Sequence, residues 1–275
     1  MDVTVRTPWR KIGVLIAFAV MVTVNALANT LPLNGVETGQ VADAYRNLFT
    51  PAPLTFAIWG AIYLFLFVYV IYQLMPVRGE SVIARQAMLR DLSFSFIGTS
   101  LLNAGWIFAW HYKRIGLSMV LMALLLLGLI RAGWLLREPH CNPREELALR
   151  VPFGLYFGWI TVATIANAVT LLKSLSWNGF GIADPVWTAV ILTVGAAIAA
   201  VTMYRIRSVA YGLAVLWAYA GILNRHLSPA AAGGFAGEHT LVIAFTIAML
   251  AVLLAALVMT GIHMRKVAAC AVPKA

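Results

Sequence analysis

Residues 115–136 read IGLSMVLMALLLLGLIRAGWLL, and the run from 119 to 130 within them is apolar on every face of a helix. A helix on the surface of a soluble globule keeps one polar face, whereas one that is apolar all round is enclosed by core or by lipid. About 20 such residues span a bilayer, because only a helix or a closed barrel satisfies its own backbone there. A barrel would show short alternating strands, which runs of this length exclude. Seven further segments follow the same rule, giving eight expected spans at 12–28, 54–75, 92–110, 115–136, 151–172, 186–204, 209–223 and 241–263. The seventh is the shortest. The whole 275-residue chain agrees: 62% of it is hydrophobic and 11% charged, against about half and about a quarter in soluble domains. Its mean hydropathy is +0.87. Soluble, disordered, collagen-like and disulfide-stapled classes are excluded, and the expected class is an all-α integral membrane protein.

The cations set an orientation. Arg6, Arg10 and Lys11 precede the first span, which is expected to be a span and not a cleaved leader, since no small-residue cleavage site follows it. Placing the N-terminus in the cytoplasm puts fifteen of the 20 Lys and Arg in cytoplasmic segments, as positive-inside topology requires. Arg46, Lys113, Arg114, Lys173 and Arg225 are the five left outside. Both termini are therefore expected inside. The +10 charge reads as topology and attraction to anionic lipid, with no nucleic-acid partner. Cys141 and Cys270 fall on the reducing side. The ten carboxylates are expected in loops or at termini, so the core holds no acid–base pair and no catalytic residue is named. The five histidines are expected at solvated or interfacial positions, and no metal site follows, since no two have ligand spacing. The segment 228–237, rich in Ala and Gly, reads as a loose outer loop. The segment 30–50 is long enough for a lid, although a plain interfacial connector reads equally well.

Three spans carry polar and aromatic faces. Phe56, Trp59 and Tyr63 share one face of the second, and Asn103, Trp106 and Trp110 one face of the third. The fifth, VPFGLYFGWITVATIANAVTLL, aligns Tyr156, Trp159, Ala163 and Asn167. Rings interleaved with amides suit a large planar, mostly apolar ligand: the rings stack on its face and the amides hold its edge. Ordinary helix packing is the competing reading, and a membrane asparagine commonly bonds a neighbouring helix. Gly154 and Gly158 form a small-xxx-small pair that admits another helix, within the chain or in a homodimer.

These residues resemble the TspO/MBR family, the tryptophan-rich sensory proteins related to the mitochondrial translocator protein. The segment AYRNLFTPAPLTFAIWGAIY carries Tyr45, Leu48, Thr50, Pro51, Trp59 and Tyr63 in the family's order. Asn103 and Trp106 match its Asn-x-x-Trp. Tyr156, Trp159, Ile160, Thr161, Ala163, Thr164 and Asn167 match its fifth-helix pattern. The chain departs at Pro51 and Pro53, where Pro-Pro is typical, and in lacking a Pro directly before Tyr156. Three helices follow that short members lack. The resemblance implies a five-helix bundle over residues 1–172, with 173–275 adding three spans and a short tail. It implies a bacterial inner (plasma) membrane location and a cavity for porphyrins, haem or similar flat hydrophobic molecules, with no covalent cofactor. The implied pocket residues are Trp59, Tyr63, Asn103, Trp106, Trp110, Tyr156, Trp159 and Asn167, under a lid with Tyr45 and Leu48. The expected role is a binding sensor or carrier. A small-molecule permease and a light-dependent porphyrin-degrading protein are the alternatives.

Overall fold

The computed structural model describes residues 8–31, 33–76, 82–137 and 143–271. Asp2, Arg6, Pro32, Arg78, Glu80, Glu138, Pro139, His140, Cys141 and Lys274 lie outside them, as does the side chain of Cys270. Helices appear at all eight expected places, as α1 (Pro8–Thr30), α3 (Ile58–Leu74), α4 (Val82–His111), α5 (Ile115–Leu135), α7 (Val151–Ser174), α8 (Asp184–Ile206), α9 (Val209–Leu227) and α10 (Thr240–Ala271). Between them lie a short α2 (Thr38–Ala44) and a single turn, α6 (Pro143–Glu145), which passes through a wider turn at Glu146–Arg150 into α7. No strand occurs among the described residues. Seven of the helices are long and apolar enough to cross a membrane.

The eighth, α9, is the segment expected to be shortest, and its place explains its composition. Asn224, Arg225 and His226 end it with a polar turn, and Tyr211, Tyr219, Arg225 and His226 are buried. It packs on α7, α10 and α8, so protein surrounds much of it. The outer helix α10 has the opposite character, with only 17% of its apolar window buried. The third span begins ten residues before its expected start at 92, because its charged first turns are paired: Arg85 Nε lies 3.1 Å from Glu145 Oε1, and Arg131 Nη2 lies 4.0 Å from Asp91 Oδ2. Glu145, expected in a loop, is thus buried in a helical turn, where the Tyr72 hydroxyl also donates to it at 3.1 Å. Desolvating a carboxylate needs such partners.

The glycine pair on α7 is consumed inside the chain. A Cβ on Gly154 would stand 2.5 Å from Ser208 Oγ, and one on Gly158 would stand 3.0 Å from Ala214 Cβ and overlap the Tyr211 carbonyl oxygen. The bare backbone of α7 therefore lies directly against α9. The Tyr211 hydroxyl donates to Thr161 Oγ1 at 3.1 Å across the same seam.

Candidate functional site

The site lies at the end of the bundle away from the paired arginines, and it is assembled from local rules. Asn47 Oδ1 accepts from Phe49 N at 2.9 Å, Thr50 N at 3.0 Å and Thr50 Oγ1 at 3.1 Å, which folds the chain before α3 into a tight turn. Pro53 then opens a 3-10 turn, Pro53–Ala57, that carries Phe56 into line with Trp59 and Tyr63 of α3. The segment 30–50 is more than a connector. Glu37 and Gln40 form a capping box that starts α2. Trp110 Nε1 donates to Thr38 O at 3.0 Å, and Asn34 Nδ2 to His111 O at 3.0 Å, fastening that helix over α4.

Under it lies a small void of about 50 Å³, whose walls include the indoles of Trp59, Trp106, Trp110 and Trp159. Thr38, Ala42, Thr50 and Pro51 roof it, and Val162, Ala163, Ala166, Asn167 and Thr170 of α7 complete it. A second space, a cleft of about 390 Å³, opens beside it between α1 and α3. It is lined by Asn25, Glu37, Gly39, Tyr63 and Ile107 among others. Thr38, Phe56 and Trp59 belong to both walls. The rings fall into two groups. Trp59 stacks on Tyr63 at 5.4 Å between centroids and meets Trp159 edge-on at 6.1 Å. Phe56 meets Trp159 edge-on at 5.8 Å, and Trp106 stacks on Trp110 at 5.5 Å.

The amides divide by role. Asn167 Oδ1 accepts from Trp106 Nε1 at 2.9 Å, and its Nδ2 donates to Ser118 Oγ at 3.1 Å, tying α4, α5 and α7 together. Asn103 is fully buried and accepts from Asn25 Nδ2 at 2.6 Å. It lines neither space. Tyr156 is likewise fully buried, edge-on to Trp59 at 5.9 Å and behind the wall. Asn103 Nδ2 and the Tyr156 hydroxyl are buried without a hydrogen-bond partner, as are Trp159 Nε1 and the Tyr63 hydroxyl; only the last two belong to residues on a wall, each a donor free to meet a guest. Asn167→Ala is expected to cost about 1–3 kcal/mol, the penalty for stranding a buried indole N–H. Thermal unfolding of the detergent-solubilised chain, with Ala163→Ser as a mild control, reads it directly.

Tyr45 and Leu48 are not on either wall. Leu48 instead lines a separate space of about 40 Å³ with Trp177 and Trp187, and its carbonyl accepts from His226 Nε2 at 2.9 Å. That contact belongs to a clasp made by α9. Arg225 Nη2 lies 2.6 Å from Asp43 Oδ1 of α2, and its Nη1 donates to Pro51 O at 3.3 Å. Ala52 N donates to Gly221 O at 3.0 Å, and Trp217 Nε1 to Thr55 O at 2.8 Å. Helix α9 thus fastens the segment that roofs the void.

Two expectations fail. His111 and His226 are fully buried, not solvated, since each ring donates to a backbone carbonyl, that of Ile107 and of Leu48. The segment 228–237 is ordered: Phe235 is buried, stacks on His226 at 4.7 Å and donates its N–H to Arg225 O at 3.0 Å. No group of three or more His, Cys, Asp and Glu among the described residues could hold a metal. A family model described as "TSPO-like protein" matches residues 11–260. No curated protein and no solved structure matches the chain.

Proposed function

Because the chain belongs to the TSPO-like family, matched across 250 residues from 11 to 260, we propose that it is a membrane receptor or carrier for a flat, mostly apolar ligand of the porphyrin kind. One observation carries the reading: four indoles from α3, α4 and α7 converge on a single void, and one of them, Trp159, presents an unsatisfied N–H. Rings in edge-on and stacked pairs are the surface on which a planar guest gains most. The cleft has the capacity of an ordinary ligand site, which runs from about 300 to 1,000 Å³. The void alone, at about 50 Å³, does not. A macrocycle therefore occupies the cleft and displaces Phe56 and Trp59 to reach Trp159, fusing the two spaces. With no His, Cys or Met lining either space, recognition rests on ring faces and edge donors. The bias of cations to one end supports an orientation with both termini cytoplasmic.

Titration of protoporphyrin IX into the detergent-solubilised chain, followed by tryptophan fluorescence, tests this. Wild type is expected to show saturable quenching. Trp159→Ala is expected to weaken the apparent Kd at least about tenfold, which corresponds to about 1.4 kcal/mol. Trp177→Ala, against Phe180 and Trp187 away from both spaces, is expected to change nothing. Linear, non-saturable quenching in wild type, or an unaltered Kd in Trp159→Ala, would overturn the reading.

A further inference from the structure

A fourth space opens against α7 and α9. It holds about 220 Å³ and lies between α5 and α8. Leu126, Ile130 and Trp134 form one wall, Ile198, Val201 and Arg205 the other, and Phe157, Thr161 and Tyr211 the floor. Trp134, Ile198 and Val201 are exposed on its rim, and all three belong to helices apolar enough to cross a membrane. In a bilayer this groove faces acyl chains, not water. From Leu126 to Trp134 it runs about 12 Å along the helix, at about 1.5 Å per residue. That is less than the roughly 15 Å depth of one leaflet, half of a core of about 30 Å.

Its two ends differ. Away from Arg205 the lining is mostly apolar, with Thr161, Thr202 and Tyr211 as its polar members; the Thr161 hydroxyl is already engaged by Tyr211 and the Phe157 carbonyl. The mouth is cationic. Arg205 lines it, and no described carboxylate pairs with that guanidinium. The Arg137 guanidinium sits 5.5 Å over the Trp134 ring at the same end. A tryptophan and an arginine without a described carboxylate partner, at the mouth of an apolar groove, make a pattern complementary to a phosphodiester with an acyl tail.

We propose that the α5–α8 groove is a site for one anionic phospholipid, with an acyl chain along Ile130 and Ile198 and the phosphate at Arg205. The site is independent of the ring-lined spaces and stands whether or not porphyrin binds.

The test uses the full chain in a non-ionic detergent, titrated separately with palmitoyl-oleoyl phosphatidylglycerol and phosphatidylcholine, with bound lipids counted by native mass spectrometry. Wild type is expected to retain one phosphatidylglycerol at ratios where phosphatidylcholine is not retained. Arg205→Ala is expected to lower that retention at least five-fold. Ile198→Trp, which fills the slot and leaves Arg205, is expected to lower it equally. Val201→Trp at the same rim serves if Ile198→Trp fails to fold, as judged by far-ultraviolet dichroism. Arg90→Ala, a cation on α4 at the same end but outside the groove, is expected to leave retention unchanged. Equal retention of the two lipids overturns the proposal. So does loss in Arg205→Ala without loss in the tryptophan variants, which would mean a headgroup held at the surface with no chain in the groove.

Discussion

Gly158→Ala is expected to lower the unfolding free energy of the chain by about 3 kcal/mol, and Gly158→Leu to prevent its assembly. The usual cost of overpacking a well-filled core is about 1–3 kcal/mol, because flexible neighbours yield. Here the obstacle is the Tyr211 carbonyl of the α9 backbone, with the Ala214 Cβ at 3.0 Å behind it. A backbone can give way only by moving the helix. Displacing α9 also strains the contact at Gly154, where a Cβ would meet Ala210 Cβ at 3.0 Å, and the Tyr211–Thr161 hydrogen bond. Gly60→Ala is the matched control: nothing lies within 4 Å of its Cβ position, so the helix gains up to about 1 kcal/mol of propensity. Thermal unfolding and size-exclusion profiles in detergent separate the two. Equal midpoints for Gly158→Ala and Gly60→Ala would show that α7 and α9 do not meet at this seam.

Arg225→Ala is expected to release the lid without unfolding the bundle. The guanidinium side chain is 8% exposed, and its removal breaks the 2.6 Å pair with Asp43 and strands the Pro51 carbonyl. Taking one partner from a fully buried pair costs about 3–5 kcal/mol. Asp43 is 45% exposed and rehydrates, so about 2 kcal/mol is the better figure. That corresponds to about a thirtyfold rise in the open population. Hydrogen exchange reads it at Ala52, whose amide is held by Gly221, and at Phe49 and Thr50, held by Asn47. Amides within α5 serve as the internal reference. Arg225→Lys keeps the charge but loses the planar fork that spans Asp43 and the Pro51 carbonyl, and is expected to fall between. Uniform exchange across all three proteins would remove the clasp from the account of the site.

The spans were legible because lipid imposes a single length and a single chemistry on them, and the start of α4 slipped by ten residues only where Arg85 and Asp91 found partners on other helices. The faces of α3, α4 and α7 were legible too, since helical spacing alone aligns Trp59 with Tyr63 and Trp106 with Trp110. Distance across helices was not. Nothing in the chain says that Asn167 would be spent on Trp106 and Ser118 while Trp159 keeps a free N–H. Thr38 and Ala42 escaped notice because the roof is a seven-residue helix, and a loop reading has no periodicity to reveal it, although Glu37 and Gln40 carried its capping signal. His226 and Arg225 looked like loop residues at a helix end. Their burial follows from contacts with residues about 180 positions earlier, which only the fold supplies.

On the binding mode proposed above, the partition made by Phe56 and Trp59 would set selectivity. A rigid chamber ranks guests by fit, whereas a chamber with a swinging wall ranks them by whether they can push it aside. Unseating Trp59 from Tyr63 and Trp159 forfeits ring pairs worth about 0.5–1.5 kcal/mol each. Small aromatics can lodge on one side and leave that barrier untouched; only a guest broad enough to touch Trp159 recovers the loss. Discrimination then acts as a threshold in size, and shifting it requires a change in the hinge rings and none in the pocket's outline.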